Sequence, residues 1–175
     1  MLDDHFVPKK APGNDLSIPY FYEATYEKHG IIGHNTGKSI AKLQSEIIKA
    51  LGRLGGGGVL FQEGEYSSKP LRPAWKITFT YDDRGAAVYL KCLPIKTDTK
   101  AARQKTLVQA LYTFHKSIEM QWGMKLLSPG YSPLAMYVIL PTGQTVYQAL
   151  AAKGYIPQLA AEIIEGEYKE IKGKK

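Results

Sequence analysis

Two alternating runs joined by a four-residue turn constrain this chain more than any other feature. From Ala74 to Tyr81, Trp75, Ile77, Phe79 and Tyr81 share one face, and Lys76, Thr78 and Thr80 the other. Asp82-Asp83-Arg84-Gly85 has the composition of a tight turn, and Ala86 to Leu93 alternates again. That pattern predicts an antiparallel hairpin with one apolar face, and an apolar sheet face must be covered. With Asp83-Arg84 as the loop, Phe79 opposes Val88, Ile77 opposes Leu90 and Trp75 opposes Cys92. Lys76 then faces Lys91 across the strands. A slip of two residues changes these partners and keeps the faces.

The cover is visible on either side. Ile40, Leu43, Ile47, Ile48, Leu51 and Leu54 recur at helical spacing, with Lys42, Gln44, Ser45, Lys49 and Arg53 opposite. Asn35 or Thr36 supplies a side-chain oxygen to cap the start. Gly55-Gly56-Gly57-Gly58 ends the helix and, read alone, excludes regular structure. Val59-Leu60-Phe61 is a short strand, and Gly64 to Pro73 a loop. After Pro94, with Thr97, Asp98 or Thr99 as cap, a second helix runs from about Lys100 to Gln121. Its stripe is Leu107, Leu111, Phe114, Ile118 and Trp122.

The expected fold class is therefore α+β: a three-stranded antiparallel sheet with two amphipathic helices on one face, in the order α-β-β-β-α. A small helical C-terminal extension follows. Leu134 to Leu140 reads as strand or helix, and Thr145 to Lys153 and Pro157 to Ile164 as short helices. Three divisions are expected: a flexible, aromatic N-terminal arm at 1–35, one α+β domain at 36–164 and a charged, frayed tail at 165–175. Within the arm, Tyr20, Tyr22, Ala24 and Tyr26 share a face if that stretch is a strand. A chain of 175 residues suits one such domain.

Charge supplies the functional hint. The formal charge is +7, and it is uneven: −2 over residues 1–35, +8 over 36–125 and +1 over 126–175. Lys91, Lys96, Lys100, Arg103 and Lys105 surround the start of the second helix. Cations there oppose the helix dipole, and an anion would reverse the penalty. Lys76, Tyr89 and Lys91 lie on the polar sheet face, where a tyrosine between lysines suits a nucleobase beside phosphates. The expectation is a nucleic-acid-binding protein that contacts mainly phosphates through Lys76, Lys91, Lys96, Lys100, Arg103 and Lys105, with Tyr89 stacking. The competing readings are an assembly protein using its C-terminal helices as a homo-oligomer interface, and an enzyme with His29, His34 or His115 beside carboxylates. Lysines splayed into water are the bland alternative.

Other motifs point elsewhere or nowhere. Gly33-His34-Asn35-Thr36-Gly37-Lys38-Ser39 resembles a phosphate-binding loop but has three residues between its glycines where four are needed, so it reads as a capped helix start. The four histidines lack metal-ligand spacing, and Cys92 reads as a small core residue. No cofactor or metal is expected. No run approaches ~18 uninterrupted apolar residues, which argues against a helical membrane span. Met1-Leu2-Asp3-Asp4 does not read as a secretory signal, so a cytoplasmic location is expected. The helix, three strands, helix order also occurs in double-stranded-RNA-binding domains, whose Gly-Pro-x-His-like loop is not found in Lys69-Pro70-Leu71-Arg72-Pro73.

Residues 39–147 carry a resemblance. A helix ends at Leu54-Gly55, a hairpin runs to Leu93-Pro94, a long amphipathic helix follows, and the stretch closes with Tyr137-Val138-Ile139-Leu140-Pro141-Thr142-Gly143-Gln144-Thr145-Val146-Tyr147. In this it resembles a loosely defined group of small uncharacterised bacterial proteins found in prophages and mobile elements, with Thr142 where Asp is commoner. The resemblance implies a phage or mobile-element setting and no particular activity.

Overall fold

The computed structural model describes residues 18–66, 70–128, 130–154 and 168–170. In chain order, a one-turn helix α1 (Tyr26–His29) precedes α2 (Ile40–Arg53). Three strands follow, β1 (Gly56–Tyr66), β2 (Arg72–Tyr81) and β3 (Arg84–Lys91), and then the long helix α3 (Lys100–Leu127). A 3₁₀ turn (Ala135–Tyr137), the short helix α4 (Val146–Ala152) and strand β4 (Tyr168–Glu170) complete the described chain. The fold is α+β, with antiparallel strands β1, β2 and β3 between two helices, as the alternation and helical periodicity predict. β4 adds antiparallel to Gly64–Tyr66, giving the order β3-β2-β1-β4.

The hairpin register differs from the first of the two expected. Tyr81 pairs with Arg84, so Asp82-Asp83 is the loop, and Phe79 opposes Ala86, Ile77 opposes Val88 and Trp75 opposes Leu90. Asp82 and Asp83 both have positive φ, +50° and +56°. A two-residue turn matching the strands' right-handed twist requires this, and Asp tolerates it better than Arg. Consequently Lys76 opposes Tyr89, and Lys91 opposes Ala74. The expected Lys76–Lys91 pair does not form.

The four glycines after α2 do not exclude a strand. Gly55, at φ +92°, turns the chain, and Gly56 and Gly57 already pair with Tyr81 and Thr80. A register shift between Gly57 and Leu60 follows, with Gly58 at φ +58°. Glycine is what admits the bulge and the close approach: a Cβ on Gly56 would sit 3.2 Å from the Leu51 carbonyl oxygen. β1 also continues to Tyr66 through part of the expected loop.

Helix ends follow capping chemistry. Ser39, not Asn35 or Thr36, caps α2 by accepting from the Lys42 amide; Thr99 caps α3 from Ala102; Thr145 and Gln148 form a reciprocal capping box on α4. α3 runs six residues past the predicted end. Leu134 to Leu140 is both of its alternatives in part, a 3₁₀ turn and then isolated bridges from Val138 to Ala86 and from Ile139 to Thr145. The helix expected at Pro157–Ile164 lies outside the described residues. Of the tail expected to fray, Tyr168–Glu170 is paired in the sheet.

The principal core lies between sheet and helices. Leu43, Ile47, Leu51 and Leu54 of the α2 region meet Trp75, Ile77 and Phe79 of β2 and Leu107, Leu111, Phe114 and Ile118 of α3. The Trp75 indole N–H donates to the Leu107 carbonyl at 3.1 Å, tying sheet to helix inside the core. Ile48 points outward, 46% exposed. Cys92 is buried in this core, which pushes its thiol pKa well up and leaves it an inert apolar group.

A second, smaller cluster joins Phe21 and Ala24 to Leu93, Ile95 and Ala102. Residues 20–26 are not a strand. The amides of Glu23 and Ala24 both donate to the Tyr20 carbonyl, and this turn sends Phe21 and Ala24 inward. Tyr22 and Tyr26 are exposed. The Phe21 amide donates to the Pro94 carbonyl at 2.9 Å, fixing the segment to the linker before α3.

Candidate nucleic-acid interface

The expected site residues fall into two groups on different faces. Lys76, Tyr89 and Lys91 stand on the side of the sheet away from α2 and α3, because Trp75, Ile77 and Val88 take the helix side. Lys76 Nζ lies 6.0 Å from the Tyr89 ring centroid, and Lys91 Nζ lies 4.3 Å from that of Tyr66. Tyr89 is 39% exposed, while Tyr66 is buried.

Lys96, Lys100, Arg103 and Lys105 form the second group. α3 opens with no acidic residue in its first turn, but nearby carboxylates neutralise part of the charge. Arg103 Nη1 reaches Glu65 Oε2 at 2.9 Å, and its Nε and Nη2 engage both oxygens of Asp98. Hydrogen bonding to Asp98, with Glu65 adding to it, raises the guanidinium pKa; the same bond lowers that of Asp98. Lys96 pairs with Glu23, whose carboxyl is held below its ordinary value by that hydrogen bond. Lys100 and Lys105 form no ion pair among the described residues.

Each group carries tyrosines that charge counting missed. Lys105 Nζ sits 6.0 Å from the Tyr22 ring centroid, and Lys96 Nζ 5.1 Å from that of Tyr20. Lys105 lies two residues, roughly 200°, round the helix from Leu107, so it faces away from the sheet. Tyr20 and Tyr22 reach these lysines because Phe21 between them is anchored inward. The aromatic run was visible in the sequence, but pairing it with residues more than 70 positions away needed the fold.

The remaining sequence candidates are accounted for differently. Lys38 turns to Glu46 Oε2 at 2.6 Å. His115 lies between two carboxylates, Glu46 at 3.7 Å from Nδ1 and Glu119 at 3.5 Å from Nε2. The carboxylates address opposite ring nitrogens, so they do not ligate one ion with it. Among the described residues no three His, Cys, Asp or Glu side chains are grouped to hold a metal. Both glutamates also hold lysines, and His115 is buried. Among the described residues no helix is long and apolar enough to cross a membrane.

Compared with family models, curated proteins and solved structures, the chain matches none.

Proposed function

We propose that the protein binds nucleic acid, mainly through phosphates, as a non-enzymatic accessory protein of phage or mobile-element type. The observation that carries this reading is the start of α3. Lys100 and Lys105 stand without ion-pair partners, among the described residues, at a 28-residue helix whose first turn has no acidic side chain. Free N–H groups and cations gathered at one helix end disfavour each other and favour an anion. Tyr22, 66% exposed beside Lys105, gives the same place a flat surface for a base. Arg103, gripped by Asp98 and Glu65, orients this corner instead of offering free charge. Lys76, Tyr89 and Lys91 form a separate contact on the sheet.

Titrating fluorescent single- and double-stranded oligonucleotides at several salt concentrations tests the reading. Affinity should fall steeply with salt, and replacing Lys100 and Lys105 together by Ala should lower the log–log slope by about 2. Dissociation constants weaker than about 100 µM at low salt for both oligonucleotides would overturn it.

One observation favours assembly as a second reading. Met120, Met124 and Leu127 line the solvent side of the last turns of α3, 74%, 50% and 82% exposed. Light scattering decides: a stable oligomer indifferent to oligonucleotide replaces the first reading with this one.

A further inference from the structure

Residues 18–39 lie along α3 and are fastened at points that have one chemical property in common. The His34 ring stacks on Phe21, centroids 4.6 Å apart and planes 21° from parallel. Its Nε2 is buried with no hydrogen-bond partner among the described residues. At the other end of the segment Lys38 holds Glu46 Oε2. That same oxygen is the one 3.7 Å from His115 Nδ1, which is also buried and, among the described residues, without a hydrogen-bond partner. In between, the Ile32 carbonyl accepts from Gln109 and Thr113 of α3, and Gly33 lies on the Tyr112 ring.

Two buried ring nitrogens without partners are where a proton would do most. A charged His34 has no acceptor at Nε2 and regains hydration only by leaving Phe21. A charged His115 is drawn to Glu46 Oε2 and to Glu119 Oε1, and so competes with Lys38 for one oxygen. Lys116, 2.6 Å from the other Glu119 oxygen, repels it as Lys38 does. The Tyr112 ring completes the surroundings, with Lys38 and Lys116 Nζ 5.7 and 5.9 Å from its centroid. His115 is fixed in the middle of α3, whereas Lys38 stands on a stretch outside helix or strand, so Lys38 is the cation that yields.

We propose that residues 18–39 form a proton-released strap, fastened at neutral pH by His34 on Phe21 and by Lys38 on Glu46, and let go when His34 and His115 take up protons. Burial pushes the pKa of both histidines below the ordinary value near 6.5. The release therefore belongs on the acid side of that value. Letting go removes Glu23 from Lys96 and Tyr22 from Lys105, so the start of α3 gains positive charge. That last consequence rests on the nucleic-acid reading; the strap does not.

Amide exchange followed by NMR tests the strap without any ligand. Between about pH 7.5 and 5.0, protection factors of the Phe21 and Lys38 amides should fall at least about tenfold, while those of Ile77 and Leu111 hold. His115→Gln should keep Lys38 protected at the lower pH and still lose Phe21, and His34→Phe, which keeps a ring on Phe21 and takes up no proton, should do the reverse. Oligonucleotide affinity at the two pH values is measured separately: pH-invariant affinity with a moving strap sinks only the link to binding. Equal protection at both pH values in the unmodified protein overturns the strap. So does a loss that survives in the double variant, or one in which Ile77 and Leu111 fall together with Phe21.

Discussion

Leu111 and Phe21 are both almost fully buried, but they are enclosed in different ways. Leu111 sits where α2, the sheet and α3 meet, in a cluster of sixteen buried residues, among the described ones, drawn mostly from these three. Phe21 belongs to a cluster of five, three of which come from the strand exit and first turn of α3. Around Phe21 the covering segment is held by a backbone hydrogen bond to Pro94, a stacked histidine and a salt bridge between Glu23 and Lys96. An exposed pair of that kind adds little stability. The first cluster makes the fold; the second attaches a segment to it.

The sharpest way to break that contrast is to cut into the principal core. Leu111→Ala should cost about 2–5 kcal/mol, read as a lower denaturant midpoint by tryptophan fluorescence, to which the buried Trp75 contributes. A cost below about 1 kcal/mol would mean that the large cluster is not the seat of stability.

Gly33→Ala tests the strap from its middle. Gly33 has φ +89°, and an added Cβ would lie 2.7 Å from Tyr112 Cδ1. Left-handed backbone and steric overlap together should cost the fastening about 1–3 kcal/mol. Phe21 amide protection should collapse at neutral pH while the Trp75 transition scarcely moves. A shift of the whole transition by the full amount would show the strap to be part of the cooperative fold.

The pH dependence separates the regions more gently. Because the folded pKa values of His34 and His115 are lowered, the unfolded chain takes up protons first as pH falls. Their contribution is complete above the ordinary histidine value and declines as pH drops through it. Asp98, Glu46 and Glu119 have lowered pKa values through hydrogen bonds to Arg103, Lys38 and Lys116 respectively. Their contribution is lost only in more acid solution, as pH falls through their folded values. Unfolding midpoints measured from pH 8 to 5 should fall, and the His34→Phe/His115→Gln variant should flatten that slope. An unchanged slope would put the acid sensitivity elsewhere.

The same contrast explains what could be read from the sequence. Periodicity identified α2, the hairpin and the Leu107, Leu111, Phe114, Ile118 stripe, because one buried face against water leaves a repeating mark. It did not identify the strap, because the opposite side of α3 is covered by contacts that leave no apolar pattern: Ala102, Thr106, Gln109 and Thr113. Thr106 donates to the Leu93 carbonyl and Gln109 to that of Ile32, so polar residues are buried there by hydrogen bonding. The hairpin register was ambiguous by two residues because both slips keep the same faces, and the left-handed preference of Asp over Arg resolves it. Of the basic residues, sequence gave the positions. It could not show that Glu65 would join Asp98 on Arg103, or that Glu23 would pair with Lys96, since both contacts join distant parts of the chain to this corner.

Covered by the strap in its first half, the outer side of α3 is bare in its last turns, and this gives the smallest expected effect. Met120, Met124 and Leu127 lie within one arc of the helix, opposite Leu111 and Ile118. Solvent already surrounds them, so Leu127→Ser should change unfolding free energy by less than about 0.5 kcal/mol, against several for Leu111→Ala. A cost above about 1 kcal/mol would mean that the end of α3 is packed in solution. Repeating the measurement across protein concentration identifies the packing partner. A cost that grows with concentration assigns it to a second chain, because association stabilises by mass action; a cost independent of concentration assigns it to the protein's own residues.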